Sequence, residues 1–296
     1  MAKRKNRIKE GMGQRTFNAV NILFMLIIIL VMIYPVWHVV MASFSNSGVL
    51  MKTPGILLRP AGFSFAAYRY VATNPMISIG YRNTLIIVIG GTALNIFMTL
   101  LSAYFLSRKN QTITKYVMMF FMFTMFFSGG MIPNFLNVRD LGLYNTLWAL
   151  VIPSAVSTFN TIILRTAFMS LPDSLEESAT LDGAGDLTIL FRICVPLSTA
   201  VIAVLVLYYG VGHWNAWFSA MLYLQDRKLQ PLQLVLRQIL IQNDVTDMIQ
   251  QSTDQEQIAE TIKYAVIVVA TAPILCLYPF LQKYFVKGVL VGAVKG

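Results

Sequence analysis

LPDSLEESATLDGAGDLTILFRICVPL, residues 171–197, separates two long apolar stretches of the chain. This acidic segment holds five of the 13 acidic residues, namely Asp173, Glu176, Glu177, Asp182 and Asp186. The apolar stretches on both sides have the length of membrane spans, and charged side chains are costly inside a bilayer. The acidic segment is therefore expected to lie in water, with a surface available to a partner.

The residues of the acidic segment predict two short helices joined by a turn. Pro172 suits the first turn of a helix, and the acidic residues that follow lie near the positive end of its dipole. Residues 182–185, DGAG, end that helix because two glycines supply backbone angles that other residues resist. A second helix is predicted from Asp186, as its N-cap, to Cys194, and Pro196 marks the entry to the next span. The apolar positions available for packing are Leu175, Ala179, Leu187, Leu190 and Phe191.

Composition places the chain among membrane proteins. Apolar residues make up 56% of its 296 residues and charged residues 12%, whereas about a quarter of a soluble domain is charged. The predicted fold class is an all-α polytopic membrane protein. Its six transmembrane helices are predicted over residues 20–42, 83–106, 116–136, 147–168, 197–222 and 264–285. The third of them is interrupted by the sequence SGG at 128–130.

The distribution of positive charge sets the predicted topology. Six of the 23 basic residues lie in the first fifteen positions, and no basic face with interleaved aromatic residues follows, so nucleic acid is not a predicted partner. Basic residues favour the cytoplasmic side, which places both termini inside. We predict a cytoplasmic arm at 1–19, a transmembrane domain at 20–286 with the acidic segment inside the cell, and a cytoplasmic tail at 287–296. Residues 43–79 and 223–263 are predicted to lie outside, the latter with an amphipathic helix at 247–262.

Several kinds of chemistry are disfavoured by what the sequence lacks. It contains no G-x-x-x-x-G-K-[ST] phosphate loop, no G-x-S-x-G elbow and no H-E-x-x-H pair, so neither ATP hydrolysis nor another enzymatic activity is expected of this chain. Two cysteines and two histidines, widely spaced, do not suggest a metal site or a bound cofactor. The spans are almost free of the acidic groups that ion-coupled carriers use. If the chain transports a solute, energy is expected to arrive through the acidic segment.

The acidic segment resembles the E-A-A-x3-G-x9-I-x-L-P signature of ABC-importer permeases. Glu177-Ser178-Ala179 is followed after three residues by Gly183, and after nine more by the sequence ICVP ending at Pro196. Ser178 replaces the first alanine of the signature and Val195 replaces its leucine. The six-span plan and the C-terminal sequence look like the smaller permease of maltose-type importers. The stretches at 126–135, 212–224 and 263–285 resemble a subgroup that imports oligosaccharides derived from complex polysaccharides.

This resemblance implies a type I ABC importer fold in a bacterial cell membrane, with the acidic segment as a coupling helix-turn-helix. The implied partners are a second homologous permease, two ATPase subunits that hold ATP and Mg, an extracytoplasmic solute-binding protein and a sugar. Glu177 would accept charge-assisted hydrogen bonds from the ATPase, and Gly183 would permit a tight turn and close approach. Residues assigned to ATPase coupling are Glu176, Glu177, Ala179, Leu181, Asp182, Gly183, Ala184 and Pro196.

A second candidate site lies in the fifth predicted span. Aromatic rings and amides suit a sugar, because a ring stacks on the apolar face of a pyranose and an amide binds hydroxyl groups. The predicted pathway residues are His213, Trp214, Asn215 and Trp217; packing between helices is the alternative role for all four. The chain is thus predicted to be a permease subunit that couples a partner's ATP hydrolysis to sugar import. A self-contained secondary carrier or channel for a small polar solute is the alternative.

Overall fold

The computed structural model describes residues 11–108, 111–241 and 260–276. These ranges are almost entirely helical; within them no strand occurs, and Ser45 and Phe63 form one isolated bridge. The described residues divide into two compact units. The first comprises 11–71 with 260–268, and the second comprises 72–241 with 269–276.

The first unit is built on one long apolar helix, α1 (Met12–Ser43). The most apolar window of α1 has none of its residues buried, as expected of a helix whose side chains face lipid. A short helix (Ser47–Leu50) and α2 (Ala66–Thr73) follow it. Between them Phe44 packs against Tyr68 with ring centroids 4.7 Å apart, and Phe63 against Phe65 at 4.9 Å.

The second unit is organised around α3 (Pro75–Ser107). Asn74 caps this helix by accepting a hydrogen bond from the Met76 N–H at 2.8 Å, and Pro75 follows it at the first helical position. Three other helices pack along α3: α6 (Thr158–Met169), α9 (Thr199–Trp214) and α11 (Leu232–Ile241). The remaining named helices are α4 (Thr112–Phe126), α5 (Met131–Asp140), α7 (Asp173–Leu181), α8 (Asp186–Ile189) and α10 (Trp217–Tyr223).

The candidate membrane spans are partly broken. Helices α1 and α3 are each long and apolar enough to cross a membrane. Three further candidates are bent pairs: α4 meets α5 at 115°, residues 147–154 meet α6 at 48°, and residues 186–197 meet α9 at 87°. Counting each pair as one span gives five candidates within the described ranges. The sixth predicted span, 264–285, continues past residue 276 and so lies partly outside them.

Glycines explain the break between α4 and α5. Helix α4 ends at Phe126, and α5 begins after Gly130, whose φ of 91° is a conformation that other residues rarely adopt. The interruption predicted at 128–130 is therefore present. Non-helical backbone at membrane depth is tolerated only where protein or a cavity covers it, so the break is expected to face protein or a cavity.

The predicted fifth span needs correction. The sequence suggested one helix over 197–222, but α9 ends at Trp214 and α10 begins at Trp217. The described part of the predicted outside segment that follows, residues 223–241, packs against α3. Asn83 Nδ2 donates to the Lys228 carbonyl at 2.8 Å and the Leu232 N–H donates to Thr84 Oγ1 at 2.9 Å. Most of the amphipathic helix predicted at 247–262 lies outside the described residues.

A glycine lets α3 and α9 approach closely. A Cβ atom built on Gly91 would lie 2.6 Å from His213 Nε2, which is closer than real Cβ contacts come. The same Nε2 lies 2.6 Å from Asn95 Oδ1, and because a carbonyl oxygen only accepts, the imidazole donates. Asn95 in turn donates from Nδ2 to the Ser154 carbonyl. The absence of a side chain at Gly91 thus makes room for a buried hydrogen-bonded chain across three elements.

Replacing Gly91 by alanine is expected to destabilise the protein by about 2–4 kcal/mol. The new methyl group displaces His213, which strains the packing and leaves Asn95 Oδ1 without its buried partner. Thermal unfolding of the detergent-purified protein should show a midpoint about 5–10 °C lower. Gly90→Ala is the matched control, because a Cβ there meets nothing within 4 Å. Equal midpoints for the two variants would contradict this account of the helix contact.

Candidate functional site

The acidic segment forms two short helices joined by a Schellman turn. Helix α7 starts after Pro172, with Asp173 and Glu176 in its first turn. At its end the Gly183 N–H donates to the Thr180 carbonyl at 3.0 Å, and the next N–H donates to the Ala179 carbonyl at 2.9 Å. Gly183 has φ of 80°, in the left-handed region that favours glycine. The predicted turn is present, and its position is set by Gly183.

The second helix of the acidic segment is irregular. Helix α8 is followed by a π-helical turn at Leu190–Cys194 and a helical turn at Val195–Leu197. Pro196 has no N–H to donate to the carbonyl four residues earlier, which favours a shift in the hydrogen-bonding ladder at this point. The chain then turns by 87° into α9. Asp186 is not the N-cap that the sequence suggested: Gly185 occupies the cap position and makes no side-chain bond there.

An ion pair joins the acidic segment to the end of α3. Arg108, directly after α3, donates from Nη1 to Glu176 Oε2 at 2.6 Å and from Nη2 to Glu176 Oε1 at 2.7 Å. This two-bond geometry is the strongest form of an arginine–carboxylate contact. The Arg108 guanidinium also lies over the Tyr104 ring, 4.0 Å from its centroid. Tyr104 extends the link by donating from its hydroxyl to Asp186 Oδ1 at 3.1 Å. Each helix of the acidic segment is therefore tied to α3.

The environment of the Arg108–Glu176 joint between α3 and α7 strengthens the attraction between its two charges. The side chains of Arg108 and Glu176 are 20% and 26% exposed, so solvent screens their attraction only in part. Burial by itself lowers the pKa of the Arg108 guanidinium, but the hydrogen bonds and charge of Glu176 more than offset burial, and the pKa is raised. Beneath the joint lies an apolar cluster of α3, α6 and the acidic segment, which includes Leu164, Leu190 and Cys194.

The predicted coupling residues fall into two groups. Glu177, Leu181, Asp182, Gly183 and Pro196 are exposed, Leu181 to 89%. Ala179 and Ala184 instead pack on the apolar cluster of their own chain, and Glu176 is engaged by Arg108.

A groove of about 730 Å³ lies between α7, the end of α3 and α8. Its lining includes Arg108, Gln111, Met169, Glu177, Thr180 and Leu181.

The predicted pathway residues also divide. His213 is buried and bound to Asn95, and Trp214 is 7% exposed with its ring 6.3 Å from that of Tyr81. Asn215 and Trp217 are exposed on either side of the interruption between α9 and α10. The four residues are close in sequence but do not form one surface, because His213 and Trp214 are buried whereas Asn215 and Trp217 are exposed.

The similarity of this chain to known proteins establishes its family. Residues 95–291 match the family described as the binding-protein-dependent transport system inner membrane component. The chain belongs to this family. The permease is 44% identical over 290 residues to the polygalacturonan/rhamnogalacturonan transport system permease YtcP of Bacillus subtilis (strain 168), covering 96% of this chain and 100% of the relative. It is 30% identical over 242 residues to the melibiose/raffinose/stachyose import permease MelC of the same organism, covering 80% of this chain and 83% of the relative.

A solved structure carries the same fold. It is a bacterial ABC transporter involved in the import of the acidic polysaccharide alginate, with a TM-score of 0.87 and 30% identity over 94% of this chain and 99% of that chain. The predicted fold class is therefore confirmed: the permease is an all-α polytopic membrane protein with the ABC-importer permease fold. The prediction of a permease subunit for binding-protein-dependent sugar uptake is confirmed as well.

Two functional candidates in the permease were not predicted from sequence. The sequence assigns no functional role to Arg108 or Tyr104. Both lie at the cytoplasmic end of a predicted span, on the same side as the acidic segment, and that shared side is the signal that could have found them. For metals, the described part of the permease contains no group of three or more histidine, cysteine, aspartate or glutamate residues placed to hold an ion.

Proposed function

We propose that the permease uses the acidic segment to couple ATP hydrolysis in separate ATPase subunits, which hold ATP and Mg, to the import of an oligosaccharide. The observation that carries the proposal is the double character of α7. Helix α7 offers exposed Glu177 and Leu181 for docking, while the adjacent Glu176 is bound by Arg108 at the end of α3.

Force applied at the exposed side has a direct route into the membrane domain. Asp182 and Leu181 stand at the tip of the turn, next to Gly183, and any displacement of α7 pulls on the Arg108–Glu176 pair at the end of α3. Since α6, α9 and α11 all pack on α3, movement of α3 would rearrange the helices of the second unit together. The joint thus acts as the transmission element of the proposed mechanism.

The relatives support an oligosaccharide as the cargo. YtcP is named for polygalacturonan and rhamnogalacturonan, and MelC for melibiose, raffinose and stachyose. Within the permease we assign cargo contact to Asn215 and Trp217, which are exposed beside a break in a spanning helix. Broken spanning helices are where transporters expose backbone to their substrates. His213 and Trp214 would support that region from behind by holding α9 on α3.

The proposed assembly contains a second homologous permease, two ATPase subunits and an extracytoplasmic solute-binding protein in a bacterial cell membrane. Both termini and the acidic segment would face the cytoplasm. Residues 43–79 and 223–263 would receive the binding protein on the outer side. This arrangement agrees with the positive charge of the N-terminal arm.

Uptake into proteoliposomes tests the proposal. The permease, its second permease and the ATPase are reconstituted with ATP inside, and labelled oligosaccharide is presented with or without the binding protein. Uptake is expected to require both ATP and the binding protein. Uptake that follows a proton or sodium gradient, and proceeds with the permease alone, would instead identify a secondary carrier.

A further inference from the structure

Arg237 is a cation held on an aromatic platform. Its guanidinium carbon lies 3.9 Å from the centroid of the Trp217 ring, and its Nη1 donates to Met221 Sδ at 3.3 Å. Trp217 and Met221 belong to α10, whereas Arg237 projects from α11. Stacking of this kind fixes the plane of a guanidinium and restricts its rotation.

The platform leaves most of the hydrogen-bonding capacity of Arg237 unused. A guanidinium carries five N–H donors, and a thioether sulfur is a weak acceptor. Among the described residues no carboxylate pairs with Arg237. Two arginines of the second unit do have such partners: Arg108 binds Glu176 and Arg139 binds Asp140. Arg237 is therefore an oriented cation with open donors.

Arg237 stands in a largely apolar helix. Helix α11 reads LQLVLRQILI, and Leu234, Val235, Leu236 and Ile239 are all buried. Arg237 itself is half-buried. No carboxylate among the described residues neutralises its guanidinium, so the charge is available to an anionic ligand.

The pair also lies beside an interruption in the fifth span. Trp217 is the first residue of α10, directly after the break at residues 215–216, and its side chain is 37% exposed. Irregular backbone in a spanning helix is found where it lines a protein-covered or water-filled cavity. An aromatic ring and an oriented guanidinium at such a place match the two faces of a sugar acid, one apolar and one anionic.

We infer that Arg237, oriented by Trp217, binds the carboxylate of a uronate unit in the imported oligosaccharide. Two parallel N–H···O bonds from the guanidinium edge would engage both carboxylate oxygens. This assignment rests on the proposed function and adds to it a class of cargo, acidic oligosaccharides, and the residue that recognises them. Besides its proposed contact with the cargo, Trp217 positions Arg237, because it holds the guanidinium in the plane that the carboxylate requires.

The test compares two forms of one cargo in the complete reconstituted importer. Trigalacturonate is presented beside its fully methyl-esterified form, which has the same sugars without the charge. The Arg237→Gln variant is expected to lower the ratio of acidic to esterified uptake about ten- to a hundredfold. Arg237→Lys keeps the charge but loses the planar fork, so its ratio should fall between those of Arg237→Gln and wild type. Arg82→Gln is the matched control, since Arg82 is an exposed cation of α3 outside the segments proposed to receive the binding protein.

The possible outcomes distinguish carboxylate binding by Arg237 from a structural contact and from failure of the proposed function. An unchanged ratio in Arg237→Gln would overturn the inference. An equal loss of acidic and esterified uptake would also overturn it, because a structural contact or a bond to a lipid phosphate affects both cargoes alike. A wild-type importer that takes up both forms equally would leave the importer function intact and remove the acidic preference. Failure of ATP-dependent uptake of every sugar by wild type would instead count against the proposed function.

Discussion

Replacing Gly183 by valine is expected to reduce recovery of the ATPase subunit with the permease to less than about a tenth of the wild-type amount. Gly183 has φ of 80°, and a β-branched residue is an outlier in that region, at a cost of about 1–3 kcal/mol. The turn would relax by losing the two bonds that close it, from Gly183 to Thr180 and from Ala184 to Ala179. Leu181 and Asp182, at the tip, would then leave the positions at which the ATPase is proposed to dock.

Two further variants separate backbone strain from crowding. Gly183→Asn adds a side chain but tolerates the left-handed conformation, and a Cβ at 183 meets nothing within 4 Å inside the permease. Gly185→Ser changes a neighbouring glycine whose φ is −79°, at a cap position that serine favours. Recovery near the wild-type level is expected for Gly185→Ser. Loss in Gly183→Asn equal to that in valine would show that close approach of the partner, and not φ, sets the requirement.

The measurement is co-purification of tagged permease with its ATPase after expression of the whole importer. Thermal unfolding of the permease in each variant checks that the transmembrane helices remain folded. Full recovery of the ATPase with Gly183→Val, accompanied by normal ATP-driven uptake, would contradict the proposed docking role of the acidic segment.

Local features of the acidic segment could be predicted because each depends on a few neighbouring residues. Pro172 and Gly183 have backbone preferences that act within one turn, and the structure places a helix start and a helix end beside them. The glycines at 129 and 130 marked a break in the same way. The family signature then added a role for the segment that no local preference contains.

The partners of these residues could not be predicted, because they are distant in sequence. Arg108 and Glu176 are 68 positions apart, and Tyr104 and Asp186 are 82 apart. Several basic residues share the predicted cytoplasmic side, so sequence alone does not single out the one that meets Glu176. Asp186 shows the consequence: its local preference predicted a cap, but its carboxylate accepts a hydrogen bond from Tyr104.

The predicted extent of the fifth helix was wrong for a related reason. Residues 197–222 are apolar enough to suggest one helix, but tertiary contacts decide where it breaks. His213 is held by Asn95 of α3, while α10 turns to pack with α11. Hydropathy measures only the preference for lipid and is insensitive to such contacts.

Breaking the Arg108–Glu176 pair is expected to uncouple the importer without releasing the ATPase. In Arg108→Ala, Glu176 loses both hydrogen bonds, and the permease should lose about 1–3 kcal/mol of stability, between the values for exposed and buried pairs. Because Glu177 and Leu181 are exposed and are not part of the Arg108–Glu176 pair, the ATPase should still co-purify. Sugar uptake per ATP hydrolysed is expected to fall at least about tenfold, since movement of α7 would no longer pull on α3.

A double-mutant cycle distinguishes transmission from a loss of folding. Glu176→Gln and Arg108→Ala each remove the pair, so their combination should be no worse than the more damaging single variant. The charge-exchanged variant Arg108→Glu/Glu176→Arg should recover part of the coupling, because it restores attraction between the same two elements. Arg139→Ala is the matched control: its pair with Asp140 is 55% and 67% exposed and should contribute less than about 0.5 kcal/mol. Additive losses across the cycle, or a loss of ATPase binding that parallels the loss of uptake, would show that the pair supports the fold and does not transmit motion.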